Sequence, residues 1–454
     1  MTVYQRLLER EAAGRRLGIA VIGAGKFGSM FLAQARCTPG LHVVGVVDLA
    51  PARARDNLRR AGWTEERIAA PSPGDAADRG TTWVGDDPWA VITHPAVEVV
   101  VEATGRPPAG IAHALGAIAN GKHIIMVTVE ADALAGPLLA RKAVRAGVVY
   151  SLAYGDQPAL IIEQVEWART SGFDVVAAGK GTKYLPEYHR STPETVWSHY
   201  GINADEARAA GMNPQMFNSF IDGTKSAIEM AAVANATGLL PAPGGLRFPP
   251  CGVEDLAAVL RPAAQGGMLH HKGQVEVVSS VTRDGAPVPG SLRWGVYVTF
   301  EAASDYVARC FAEYGLVVDS SGRYAALYRP SHLVGLELSV SVASVGIRGE
   351  PTGAPAAFRG DVVAVAKRDL APSTVLDGEG GFTVWGRLLP AAESLRLGAL
   401  PIGLAHGVTM RRGVAAGAVI GWRDAVVDER ADAVRVRREM EAVFGAGDAA
   451  GGPA

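Results

Sequence analysis

GIAVIGAGKFGSMFLAQARCTPGLHVVGVVD, residues 18–48, decides how the chain is read. An apolar strand, Ile19-Ala20-Val21-Ile22, runs into a turn with glycines at 23, 25 and 28. A helical stretch and a second apolar strand, Val43 to Val47, follow, and Asp48 closes the unit 20 residues after Gly28. Each glycine has its own task in a turn of this kind. Gly23 permits the tight bend, Gly25 lets the backbone approach a pyrophosphate, and Gly28 lets helix and strand pack closely. The turn Gly23-Ala24-Gly25-Lys26-Phe27-Gly28 leads into a helix whose first N–H groups and partial positive charge suit phosphate. Glycine spacing, both strands and the acid together predict a dinucleotide site.

Alternating strand-like and helix-like segments continue from this unit to about residue 157. Strand-like runs recur at Val97–Glu102, His123–Thr128 and Val148–Leu152, with helix-like runs at Ile111–Asn120 and Leu134–Ala146. Such alternation predicts an α/β class protein with a Rossmann-type, doubly wound parallel sheet. The Pro-, Gly- and Asp-rich stretch 69–87 reads as a surface loop. Length supports more than one domain: 454 residues suggest about three. The expected division is an N-terminal helix at 1–16, the dinucleotide-binding domain at 17–157 and an α+β catalytic domain at 158–348. A small β domain with a terminal helix then occupies 349–443, and the Gly/Ala-rich tail 444–454 reads as disordered.

A hydrophobic content of 48% and a net charge of −2 describe a globular protein with no nucleic-acid footprint. The three cysteines, Cys37, Cys251 and Cys310, are widely spaced and fit neither a disulfide framework nor a zinc pattern. No apolar signal core or membrane-length run is present, which leaves the cytoplasm as the expected location. The expected partner is a small molecule, with no nucleic acid or membrane, and the chain is expected to be a homo-oligomer.

Four groups of residues could carry chemistry. Asp48 would bind the adenosine ribose hydroxyls and favours NAD by its spacing, while Arg53 and Arg55 offer charge to a 2′-phosphate. Thr104-Gly105 and Glu130 follow the fourth and fifth apolar strands, where the nicotinamide half of a dinucleotide would pass; a turn or a helix start is the competing reading. Lys180, Lys183 and Tyr184 lie in a Gly-rich strand exit and could hold a phosphate or carboxylate, or simply be solvated; His189 and His199 follow in a loop. The last group is Asp222, Lys225 and Glu229 in the run NSFIDGTKSAIEMAAVANAT, residues 218–237, read as one helix. Spacings of three and four put carboxylate, ammonium and carboxylate on one face of an otherwise apolar helix. Charges on a buried helix are costly unless paired or used, which marks Lys225 for proton transfer.

The Gly23–Gly28 turn, Val101-Glu102-Ala103-Thr104-Gly105 and the Asp222/Lys225 pair resemble the homoserine dehydrogenase-like oxidoreductases. In that family an acid–lysine pair on such a helix relays the substrate hydroxyl proton during hydride transfer. The lysine that family carries after the fifth strand is missing here, where the residues are Thr128-Val129-Glu130-Ala131. Ala366-Lys367-Arg368-Asp369-Leu370 and Pro401-Ile402-Gly403-Leu404 resemble an SAF-type β domain. Over nearly the whole chain, GAGKFGSMFL (23–32), PQMFNSFIDGTKSAIEMAAVANATGL (214–239) and FPPCGVEDL (248–256) resemble the 1-deoxy-D-xylulose 5-phosphate reductoisomerase-like proteins. That resemblance implies NADPH-dependent rearrangement and reduction of 1-deoxy-D-xylulose 5-phosphate to 2-C-methyl-D-erythritol 4-phosphate. NADP(H) is therefore expected over NAD(H), with Lys180 and Lys183 on the phosphate and a magnesium or manganese ion admitted at the carboxylates. A simple alcohol dehydrogenase for a small polyol acid or amino-acid-like alcohol is the alternative enzyme. A non-enzymatic dinucleotide sensor is the alternative outside catalysis.

Overall fold

The computed structural model describes residues 1–445. From residue 446 on, the tail expected to be disordered lies outside the described residues. The chain divides into two compact units, Met1–Leu160 with Leu333–Ala356, and Ile161–His332 with the residues from Ala357 onward. These boundaries differ from those expected at 158 and 349, and the reason is apolar packing. Leu338, Val342, Ala343 and Val345 share one core with Leu17, Ile19, Val21 and Phe31, so the segment 333–356 belongs with the N-terminal residues.

The first unit is built on six parallel strands: β1 Leu17–Ile22, β2 Leu41–Val47, β3 Trp83–Gly85, β4 Val99–Glu102, β5 His123–Met126 and β6 Tyr150–Leu152. Their order is β3-β2-β1-β4-β5-β6, the doubly wound order of dinucleotide-binding sheets. β1 is buried along its whole length, as expected of a central strand covered on both faces. Each of its large apolar side chains contributes about 1.5–3 kcal/mol by leaving water. Register fixes the site: Ile22 pairs with Val47 on one side and Glu102 on the other, so three strand ends meet at the carboxyl edge. The stretch 69–87 is more ordered than its composition suggests. Ser72 accepts from the Asp75 N–H, Pro73 opens a helix to Arg79, Gly80 closes it with φ +67°, and Trp83–Gly85 forms the edge strand. Proline at the first helical position and glycine after the last are helix punctuation as much as turn residues.

The second unit holds a five-stranded sheet of β7 Asp174–Thr182, β8 Gln274–Ser279, β9 Val296–Glu301, β10 Val317–Val318 and β11 Tyr324–Arg329. The order is β10-β11-β9-β7-β8, antiparallel except for β7 and β8. β12 Gly360–Ala366 pairs with β14 Val384–Pro390, and β13 Val375–Asp377, β15 His406–Met410 and β16 Ala425–Val426 form a third sheet. The apolar helix Thr224–Thr237 packs against β12, β14, β8 and β7. The terminal helix Asp432–Gly445 is tied in by Arg437, whose buried guanidinium grips Asp361 of β12 through two bonds of 2.9 and 2.6 Å. Among the described residues no helix is long and apolar enough to cross a membrane.

Candidate active site

The glycine turn has the form its sequence requires. Gly23 sits at φ +102°, and a Cβ there would lie 2.4 Å from the Ala103 carbonyl oxygen. A Cβ at Gly28 would lie 2.2 Å from the Gly23 carbonyl oxygen. At Gly25 a Cβ would meet nothing within 4 Å, so the glycine there is not demanded by protein packing. No side chain caps the helix Lys26–Ala35, which leaves its amino end to the turn backbone. Lys26 is exposed and Phe27 half-buried.

Asp48 supports this turn from the end of β2. Its Oδ2 accepts from the Ala24 N–H at 3.0 Å, and its Oδ1 from the Ala50 N–H at 2.9 Å and Arg53 Nη2 at 3.1 Å. Arg53 is 66% exposed while paired with Asp48, whereas Arg55 donates to the carbonyls of Ile68 and Val84. Arg55 is therefore engaged in holding the chain beside β3, whereas the sequence suggested it for a 2′-phosphate. Beyond β4, Thr104 Oγ1 donates to Glu102 at 2.5 Å and the Gly105 N–H to Thr128 at 3.0 Å. Glu130 is half-buried in the first turn of the helix Val129–Arg145.

Valine at position 25 is expected to leave the fold intact, because φ is −71° there and space is open. It should weaken nicotinamide dinucleotide binding by about 100-fold or more, since the isopropyl group occupies the pyrophosphate approach. Calorimetric titration beside a melting curve reads both; unchanged affinity would remove the turn as the cofactor site.

In the second unit the expected single charged face does not form. Gly223, at φ +91°, splits the run into helices Pro214–Ile221 and Thr224–Thr237. Asp222 lies in the break, where its Oδ1 accepts from the Thr224 N–H at 2.9 Å. The correction is one of geometry: a left-handed glycine turns the chain, so Asp222 does not continue the face that carries Lys225 and Glu229.

Two buried lysine–carboxylate pairs take the triad's place. Lys180 of β7 pairs with Glu229, and both side chains are almost fully buried. Lys367, after β12, lies 2.8 Å from Asp222 Oδ2 and donates to the carbonyls of Ser191 and Gly381 at 2.7 Å each. Its ammonium thus makes two hydrogen bonds and one ion pair. Lys225 is half-buried, one helical turn before Glu229. Lys183 donates to the His199 carbonyl, and burial, with Arg293 nearby, lowers its pKa.

Aromatic residues complete the arrangement. Tyr184 stacks on Phe248, with ring centroids 3.9 Å apart, and its hydroxyl is 2.9 Å from His189 Nε2. His189 Nδ1 donates to the Asp222 carbonyl at 2.7 Å, which leaves Nε2 to accept from the tyrosine. Its ring stacks on Trp385 at 3.8 Å, and burial lowers its pKa, so it is neutral. Phe248 holds φ +51°, and buried Glu276 clamps that turn by accepting the N–H groups of Arg247 and Phe248. Burial pushes the Glu276 carboxyl up to about 7 against those hydrogen bonds. Sequence reasoning missed Glu276, Lys367 and Trp385. An acid inside the apolar run Gln274–Ser279 was a usable signal for Glu276; nothing local marks the other two.

Residues 155–338 match the family described as Oxidoreductase DRL, catalytic domain. The match includes Lys180, Lys183, Asp222, Lys225 and Glu229. Among solved structures, a homoserine dehydrogenase from Thiobacillus denitrificans is 14% identical, covers 73% of this chain and 73% of its own, and has a TM-score of 0.42. A myo-inositol dehydrogenase from Lactobacillus casei, in complex with NAD(H) and myo-inositol, is 16% identical over 41% of this chain and 52% of its own, TM-score 0.28. An NAD binding oxidoreductase from Klebsiella pneumoniae is 20% identical over 39% and 45%, TM-score 0.28. The chain thus spans about half the length of the latter two. No curated protein matches it. The sheet order is that of a dinucleotide-binding fold, and the matched segment is similar to an oxidoreductase catalytic domain.

Proposed function

We propose that the chain is an NADPH-dependent reductoisomerase that converts 1-deoxy-D-xylulose 5-phosphate to 2-C-methyl-D-erythritol 4-phosphate. The observation that carries this reading is the buried Lys180–Glu229 pair one turn from Lys225, inside the segment similar to an oxidoreductase catalytic domain. A bound nicotinamide would supply the hydride. The open turn at Gly25 and the uncapped helix behind it fit the pyrophosphate, and exposed Arg53 is the residue for the 2′-phosphate.

In this reading Lys225 donates the proton to the carbonyl oxygen as the adjoining carbon accepts hydride, so the product gains one hydride and one proton. Glu229, paired with Lys180, lies one helical turn from Lys225. The donor set does not suit a divalent ion. A lysine ammonium sits on each candidate carboxylate, and among the described residues no three His, Cys, Asp or Glu side chains gather to ligate one. No step is therefore routed through a metal.

The test is NADPH consumption with 1-deoxy-D-xylulose 5-phosphate, with product identified by mass and NMR spectra. A branched tetrol phosphate is expected. If the ketose phosphate leaves NADPH and NADH untouched, with or without magnesium or manganese, the reductoisomerase reading is lost. Oxidation of a small polyol acid or amino-acid-like alcohol by the same lysine then becomes the reading to test.

A further inference from the structure

Two interior arginines of the second unit are paired with acids: Arg437 binds Asp361 and Arg261 binds Asp319. Arg387 has no such partner among the described residues. It lies on β14 opposite Val363 of β12, two residues past Trp385 and so on the same face of the strand. Its stem runs over the loop at Gly245, where an added Cβ would come within 3.3 Å of Arg387 Cγ. Its guanidinium carbon is 5.1 Å from the Trp385 ring centroid. Yet among the described residues this half-buried guanidinium makes no hydrogen bond and no ion pair. Burial lowers its pKa, and the more distant Glu393 and Tyr184 only partly offset that.

Five N–H donors taken partly out of water without an acceptor call for one from outside the chain. A second cation stands by the same aromatic group. Arg283 lies 5.5 Å from the Tyr184 ring centroid, anchored by Nη2 on the carbonyls of Arg247 and Phe248. Both arginines act electrostatically on Tyr184, whose hydroxyl meets His189, and His189 stacks on Trp385. The lysines first assigned to the substrate anion are occupied instead: Lys180 by Glu229 and Lys183 by the His199 carbonyl.

We propose that Arg387, seconded by Arg283 beside the Tyr184–His189–Trp385 group, is the subsite for the phosphate of the substrate. This rests on the reading of the substrate as a phosphorylated ketose. A guanidinium offers a planar fork to two phosphate oxygens, and a dianion suits two cations better than a single carboxylate charge does. The subsite draws on β14, outside the segment 155–338, so that segment alone does not bind the substrate's anionic end.

Calorimetric titration of the full chain with inorganic phosphate tests the assignment without cofactor or turnover. Wild type should saturate at one phosphate per chain, and acetate should bind more weakly. Arg387→Met should weaken phosphate binding by about tenfold or more, and Arg387→Lys by less, since a point charge replaces the fork. Arg387→Met should also melt no lower than wild type, because it removes an unpaired buried charge. Phosphate affinity equal in wild type and Arg387→Met overturns the proposal, as does tighter binding of acetate than phosphate. If Arg387→Met unfolds, Arg387→Lys with unchanged phosphate affinity overturns it as well. A chain that binds phosphate through Arg387 but leaves every ketose phosphate unreduced keeps the subsite and loses the reductoisomerase reading; turnover with a KM indifferent to Arg387 does the reverse.

Discussion

Lys225→Met is expected to cut turnover by about 10²–10⁴, the usual contribution of a positioned acid–base group. Methionine keeps the length of the side chain and removes its proton. The residue is half-buried near the amino end of a helix whose other side chains are mostly buried. NADPH affinity should be unchanged, because the glycine turn belongs to the first unit and Lys225 to the second. Single-turnover cofactor oxidation alongside NADPH titration separates the two effects. Near-full turnover in the variant would move the donor role to Lys183, whose amine burial already makes less basic.

Lys180→Met should be as damaging to stability as Lys225→Met is to rate. Its ammonium is buried against Glu229, and removing one partner strands a carboxylate in an apolar interior at a cost of about 3–5 kcal/mol. Replacing both, as Lys180→Met with Glu229→Gln, should recover most of that loss, since the penalty belongs to the uncompensated charge rather than to the missing bond. Urea midpoints of the two single variants and the double variant provide the cycle. A double variant no more stable than Lys180→Met would show that the pair does not act as a unit.

The first unit was readable because its instructions are local. Strand, glycine turn, helix and strand follow one another within residues 18–48, and Gly23 and Gly28 answer to close backbone contacts. The α/β class and the parallel sheet followed from the same alternation. Two misreadings shared a cause, the double meaning of glycine. Gly80 looked like loop and ends a helix; Gly223 looked like an interior helix residue and breaks one. Partnership across the chain was the part that spacing could not supply. Lys180 and Glu229 stand out as charges in apolar surroundings, but they are 49 residues apart and nothing local says that they meet. Lys367 is further still from Asp222, and the two backbone carbonyls it donates to leave no trace in composition.

The way the first unit is assembled also matters while the chain is being made. Its core takes in Leu338, Val342 and Val345, and the Leu152 N–H is received by the Gly353 carbonyl. When residue 160 leaves the ribosome, the six-stranded sheet before it therefore lacks one wall. At a synthesis rate of about 5–20 residues per second, that wall arrives about 10–40 seconds later. The nascent sheet must wait half-covered through the whole of that interval, in need of a chaperone. A gene fragment ending near residue 160 should accordingly give aggregating protein, while a fragment carrying 333–356 fused behind it through a short linker should give a soluble one.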